Sequence, residues 1–241
     1  MNTIVNYISK GVRRFLGINQ IVQYEREILS AFKFNSTIMD SDWFRYKSIS
    51  PGEAAIDYSF FYTLYRVLSA AKPENIIEFG LGQSSKMIHQ YADYYGKRAV
   101  TVEHDNNWAN FFKSTKDGDY PVNIKLIELE EIEFDGNITL TYKDCVKAFE
   151  GDKFDLFVVD GPFGKDFNYS RTQIISMLQY CASDDFIVII DDYNRKGEKN
   201  MVRKLFSYFE SEGIKFVFRE YKGFKSHVLV TTPKFNFLTT L

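Results

Sequence analysis

The chain is poor in the residues that usually announce a special class of protein. It has two cysteines, Cys145 and Cys181, which form neither a disulfide framework nor a zinc-binding spacing, so a reducing, cytoplasmic setting is the expectation. It has five prolines and no Pro- or Gly-rich tract, repeat or low-complexity segment, so no linker divides it. Neither charge is in real excess: 30 Lys and Arg stand against 32 Asp and Glu, a formal net charge of -2 that gives no field to draw in nucleic acid or an anionic membrane. No apolar run approaches the ~20 residues of a membrane-spanning helix. The first residues also lack the uninterrupted apolar core and small-residue cleavage site of a secretion signal. What the 241 residues do hold is apolar and aromatic material, 45% and 17% of the chain, enough for a sizeable core and too much for disorder.

Two regimes follow one another. Residues 1–72 read as a helical extension. Ile4, Val5, Ile8, Val12, Phe15 and Leu16 recur at helical spacing, a pattern that more often docks on its own domain than on a membrane or partner. A second helical stretch runs from Ala54 to Ala71, and Lys72-Pro73 stops it. Residues 73–241 then alternate short apolar strands with amphipathic helices. Strands are expected at Asn75–Phe79, Ala99–Glu103, Val122–Leu126, Phe154–Asp160 and Phe186–Asp191. Helices are expected at Ser84–Tyr95, Asn106–Ser114, Ser170–Tyr180 and Gly197–Glu212. A less regular stretch holds a further strand at Ile138–Tyr142. The runs FDLFVVD and FIVIID are nearly continuous and apolar, as strands covered on both faces require. The last two strands, Lys215–Arg219 and His227–Thr231, lie too close for a helical crossover and must pair antiparallel. The expected fold is α/β: a Rossmann-like, doubly wound, seven-stranded sheet, mostly parallel, with a C-terminal antiparallel hairpin and the helical extension before it.

Ligands of an open parallel sheet bind beyond the carboxyl ends of its strands, so the residues at those ends are the ones to inspect. The first strand runs into Glu78-Phe79-Gly80-Leu81-Gly82-Gln83-Ser84-Ser85. Gly80 and Gly82 permit a tight turn and close approach of a ligand to the backbone, and Ser84 or Ser85 can cap the next helix. Glu103 ends the second strand 25 residues after Glu78, near the spacing of a ribose-binding acid. Ser85 stands where a dinucleotide fingerprint has its third glycine. Asp160 ends one core strand and Asp191-Asp192 another. The three carboxylates can converge on an oxygen-ligated ion such as magnesium, manganese or calcium. Alternatively Asp160 acts alone as a general base, or all three only cap turns. Tyr169, Arg171 and Tyr193 sit on loops at the same end and are candidates to recognise substrate. His89 and His227 have no evident role beyond structure.

In order, the runs IIEFGLGQSS, VTVEHDNNW, FDLFVVDGPFG and IVIIDDYNR, spread over residues 73–231, resemble the class I S-adenosylmethionine (SAM)-dependent methyltransferases, and most of all the sugar and polysaccharide O-methyltransferases. The resemblance implies that Glu78, Gly80, Leu81, Gly82, Ser84 and Ser85 form the turn against the methionine part of SAM. It implies that Glu103 holds the ribose hydroxyls, that His104 and Asp105 border the adenine, and that Asp144 contacts its amino group; Asp144 equally reads as a helix cap. Asp160, Asp191 and Asp192 resemble the metal site of catechol-type O-methyltransferases. In relatives of this kind the segment before the first strand often closes over the site, which here points to Trp43, Phe44, Arg45 and Tyr46; core packing is the commoner fate of such aromatics. The expected activity is O-methylation of a hydroxyl on a glycan or small sugar-like metabolite, with no nucleic-acid partner. Two alternatives stay open: a nucleotide-dependent oxidoreductase on the same kind of sheet, and a non-catalytic binding protein that keeps the fold.

Overall fold

The computed structural model describes residues 17–52, 55–164 and 166–241. The apolar pattern at positions 4–16 and the expected helix start at Ala54 lie outside them. Helix α1 (Ile18–Ile38) and helix α2 (Tyr58–Ala71) precede the sheet. Asp57 Oδ1 caps α2 by accepting the Phe60 amide at 2.9 Å, and Lys72, in the left-handed region at φ 51°, ends it ahead of Pro73. The chain then runs β1 (Asn75–Phe79), α3 (Gln83–Tyr95), β2 (Arg98–Glu103), α4 (Asn106–Thr115) and β3 (Ile124–Leu126). A hairpin follows, β4 (Leu129–Phe134) and β5 (Asn137–Tyr142), and then α5 (Cys145–Ala148), β6 (Phe154–Val159), α6 (Gln173–Cys181), β7 (Ala182–Ile190) and α7 (Lys196–Ser211). Strands β8 (Val217–Lys222) and β9 (Ser226–Thr231) and a 3₁₀ segment (Pro233–Thr240) close it. No helix among the described residues is long and apolar enough to cross a membrane.

Seven strands form one sheet in the order β3-β2-β1-β6-β7-β9-β8. The first five are parallel, and β9 is antiparallel to both β7 and β8. This is the expected doubly wound sheet with its terminal hairpin. Strand order reverses between β1 and β6, the switch point where the loops on either side diverge and leave a crevice. Because β9 runs against its parallel neighbour, it begins where β7 ends, and the β8–β9 turn reaches the carboxyl edge of the sheet.

Several bounds differ from the sequence reading, with β3 beginning at Ile124, α6 at Gln173, β7 at Ala182 and β8 at Val217, and one strand, β4, was not expected. β4 was hidden because LEEIEF places Glu at three of its six positions; its turn, Asp135-Gly136 with φ 51° and 71°, is the type of dipeptide that folds a two-residue hairpin. Among the described residues β4 and β5 pair only with each other, outside the main sheet. β8 extends to Lys222 rather than stopping at Arg219, because Gly223 closes a short turn by donating its amide to the Lys225 carbonyl at 2.9 Å.

Strand parity sorts the core. Phe157, Val159, Val188 and Ile190 face α5, α6 and α7, whereas Ile76, Leu156, Val158 and Ile189 face α2 and α3. The second face is shared with the N-terminal segment: Phe34, Trp43, Phe44 and Ile56 are all within it. Trp43 stacks on Tyr65 and meets Tyr91 edge-on, so Trp43 and Phe44 are core residues. Replacing Phe44, which is fully buried, with Ala is expected to lower the unfolding free energy by about 3–5 kcal/mol in one transition common to the whole chain. Chemical denaturation followed by tyrosine fluorescence and circular dichroism checks this; an unchanged transition of the sheet would make the N-terminal part a separate unit.

Candidate active site

A cleft of about 690 Å³ opens at the switch point. Its floor is the β1–α3 turn, where Gly80, Leu81 and Gly82 are all lining residues. Gly80 sits at φ 95°, and a Cβ there would lie 2.9 Å from the Asp160 carbonyl, so no other residue fits where the tips of β1 and β6 touch. Beside it Glu103 faces the cleft from the end of β2. Its Oε1 accepts the amides of His104 at 2.6 Å and Asp105 at 2.8 Å, and its Oε2 accepts the Leu81 amide at 3.0 Å. A carboxylate oxygen has two lone pairs, so Oε2 keeps one for a ligand hydroxyl. The wall beyond carries His104, Phe163 and Trp108, with the His104 ring edge-on to Phe163 and the Trp108 indole donating to the Leu81 carbonyl at 2.8 Å. Asp105 also lines the cleft while Oδ1 caps α4.

Glu78, Ser84 and Ser85 do not line this cleft. Glu78 shares strand parity with Ile76, so its side chain passes under α3. There it is fully buried and accepts the hydroxyls of Ser84 and Ser85, each at 2.5 Å, and of Thr101 at 2.7 Å. His89 Nε2 stands 2.9 Å from the same Thr101 hydroxyl. The three residues expected to touch a ligand therefore pin the turn from beneath.

Asp144 is also displaced. It lines a separate groove between the β4–β5 hairpin and α6 rather than the cleft, and it occupies the N-cap position of α5 without a side-chain cap hydrogen bond. Tyr169 donates its hydroxyl to Asp135 at 2.6 Å and packs edge-on to Phe134, held against the hairpin and away from the cleft. Tyr193 packs against the core beside α7, with Lys199 above its ring.

The acidic strand tips do converge: one ligand oxygen from each of Asp160, Asp191 and Asp192 lies within 4.8 Å of the others. Asp160 and Asp192 line the cleft, whereas Asp191 is fully buried behind them. The charge among them is the protein's own. Arg171, 2% exposed and at φ 59°, donates Nη2 to Asp160 Oδ1 at 3.0 Å and to Asp192 Oδ2 at 2.7 Å. Its Nη1 reaches the carbonyls of Val159 at 3.2 Å and Asp191 at 2.8 Å. Lys225, from the β8–β9 turn, binds Asp191 Oδ2 at 2.7 Å and approaches Asp192 Oδ1 at 3.2 Å. Arg195 adds a contact to Asp192 at 2.7 Å, and buried Glu198 lies behind the Arg171 guanidinium at 3.8 Å. Arg171 is thus a buried tie between strand tips, and it also lines the cleft. A divalent ion would have to enter beside three cations, Arg171, Arg195 and Lys225, that already hold the carboxylates it needs, so this donor set does not fit one.

The same field tunes the acids. Burial, and then the charge of Asp191, push the Asp160 carboxyl up to about 7 against the pull of Arg171 and Lys225. Burial opposes the ionised form of Asp192, yet Arg171, Lys225 and Arg195 hold it below its ordinary value. Burial acting on Arg171 is outweighed by Asp160, Asp192 and Glu198, which keep it charged. Sequence reasoning missed Tyr142, Trp108, Phe163 and Lys225 as lining residues. Only the position of Lys225 had a signal: the turn before an antiparallel last strand must reach the same edge as Asp191.

No protein-family model matches the chain, and no curated protein matches it significantly. Solved structures do. Human methyltransferase-like protein 13 in complex with SAH is 11% identical with a TM-score of 0.46, over 70% of this chain and 75% of that one. A ribosomal protein L11 methylase from Lactobacillus delbrueckii subsp. bulgaricus is 13% identical with a TM-score of 0.45, over 77% and 82%. The plantazolicin methyltransferase BpumL in complex with SAH is 11% identical with a TM-score of 0.44, over 88% and 98%. At such identities the likeness concerns the fold.

Glu78 provides a measurement of its own. Burial raises its carboxyl from 4.5 to about 7, against the three hydroxyls that favour the charged form. A folded-state value above the unfolded one gives stability that is complete below pH 4.5 and is lost as pH rises towards 7, here about 3 kcal/mol. Glu78→Gln removes that titration, so its stability relative to the parent should improve by about this amount between pH 4.5 and pH 8. Urea denaturation at both ends of the range reads the change; a constant difference would mean that Glu78 titrates normally.

Proposed function

We propose that the protein is a SAM-dependent O-methyltransferase acting on a hydroxyl of a glycan or small sugar-like metabolite. The observation that carries the reading is one cleft that puts the Gly80 turn, the spare lone pair of Glu103 and the elevated carboxyl of Asp160 side by side at the switch point. The residues present suit an adenosine-bearing ligand: Glu103 to accept a ribose hydroxyl, His104, Trp108 and Phe163 as aromatic walls, and the bare backbone of Gly80 and Gly82 where bulk would intrude. When bound, SAM supplies an activated methyl group on a sulfonium sulfur.

The chain's own part is modest in number of steps. Asp160 Oδ1 is fixed by Arg171, which leaves Oδ2 to accept the proton of an acceptor hydroxyl in the cleft. A carboxyl pushed up to about 7 is a stronger base than an ordinary aspartate and titrates close to neutral pH. Ser50 and Ile56 line the same cleft and narrow it. The strap that leads to them is tied to α3: Gln90 Oε1 accepts the amides of Arg45 and Tyr46 at 3.0 and 2.7 Å, and Gln83 Oε1 accepts that of Ser50 at 3.2 Å. Those contacts support a covering role for the strap, with water excluded from the acceptor oxygen.

Two measurements test this. Glu103→Ala should weaken SAM and SAH at least tenfold in calorimetry, since a charged acceptor to the ribose is lost; binding of NAD in place of SAM by the parent protein would turn the reading to an oxidoreductase. Activity on an accepted hydroxyl should rise with pH and level off above about 7, because Asp160 works only when deprotonated. Asp160→Asn should cost a factor of about 10² or more and abolish that limb, and a variant that keeps the parent's profile would remove Asp160 as the base.

A further inference from the structure

Resting on the methyl-transfer reading, we infer that Lys225 is the built-in cation of this site: it sits between Asp191 and Asp192, where a divalent ion held by the acidic strand tips would bind, and it presents its remaining N–H to the acceptor oxygen. Three features carry this. An ammonium has three donors, and Asp191 and Asp192 take two of them at 2.7 and 3.2 Å. The side chain is 11% exposed, and Lys225 lines the same cleft as Asp160. Finally the turn is anchored from behind, because the Lys225 amide donates at 2.8 Å to Asp57 Oδ2, whose other oxygen caps α2, so the ammonium stands on a fixed backbone. Burial works against its charge, but Asp191, Asp160 and Asp192 outweigh it and hold the pKa above the usual lysine range.

The chemistry balances without a metal. The acceptor O–H gives its proton to the Asp160 carboxylate, the oxygen forms its bond to the methyl carbon, and the carbon–sulfur bond breaks with its electron pair remaining on sulfur; nothing is oxidised or reduced. Negative charge gathers on the acceptor oxygen on the way, where an ammonium already oriented by two carboxylates stabilises it with no reorganisation. Lys225 keeps its own proton throughout. Arg171 acts one layer back as the positioning residue, fixing Asp160 and Asp192 relative to each other.

Titration with MnCl₂, read by the loss of the free-ion electron paramagnetic resonance signal and by calorimetry, tests the inference without an acceptor. The parent protein should leave the signal of millimolar Mn²⁺ unchanged. Lys225→Met, which keeps the stem and removes the charge, should gain Mn²⁺ binding, while Lys225→Arg should remain without it. Mn²⁺ binding by the parent that Asp192→Asn abolishes would overturn the inference, as would a folded Lys225→Met that stays indifferent to the ion. Calorimetry with SAM on the same preparations separates the two readings: a parent that binds neither SAM nor Mn²⁺ loses its methyl-transfer assignment while the cation assignment stands.

Discussion

The structure depends on a buried charge problem at the carboxyl edge of the sheet. Asp160, Asp191, Asp192 and Glu198 are brought close together, three of them out of water. Each ion so buried loses several kcal/mol of hydration. Arg171 makes the arrangement tolerable, because one guanidinium fork reaches two carboxylates and two main-chain carbonyls at once. Both Arg171 and Asp192 adopt left-handed backbone conformations, at φ 59° and 58°, to let this happen. A costly backbone at that point of the fold is understandable if the payoff is a carboxylate with an unusual proton affinity facing a cleft.

The floor of the cleft is built on a different economy. Strand parity sends Glu78 under α3 and leaves Glu103 at the rim, though both are acids at the end of neighbouring strands. Thr101 lies opposite Glu78 in the parallel register, and Ser84 and Ser85 descend from the first turn of α3, so the buried carboxyl gathers three hydroxyls from two elements. The turn that carries Gly80 is thereby held from below by hydrogen bonds and from the side by Glu103, which takes the Leu81 amide. A rigid turn with bare backbone facing outwards is what a ligand that must lie close to the chain requires.

The N-terminal segment shares this construction. Phe44 and Trp43 anchor it in the core face of α2 and α3, Gln83 and Gln90 bind its backbone along one side of α3, and Ser50 and Ile56 arrive at the cleft as a consequence. The same aromatics that fill the core thus set which N-terminal residues line the cleft, a link between packing and cleft that no single motif carries.

By itself the sequence determined the sheet, the identity of its parallel strands and the closing hairpin, because runs such as FDLFVVD and FIVIID are compatible only with strands covered on both faces. It also determined which chain segments meet at the carboxyl edge of the sheet, since the ends of parallel strands lie together whatever their loops do. Gly80, Glu103 and Asp160 were legible on that ground. The β4 strand was not, because its glutamates mask the alternation, and Asp144, Tyr169 and Tyr193 were misplaced because a loop residue's direction depends on the hairpin and helices it packs against. What only the tertiary structure decided is the sign of the charge at the centre of the acidic cluster. Asp160, Asp191 and Asp192 lie in two short stretches, but Arg171 and Lys225 reach them from a loop and a turn distant in sequence, and electrostatic pairing at a few ångströms follows position in space rather than order along the chain.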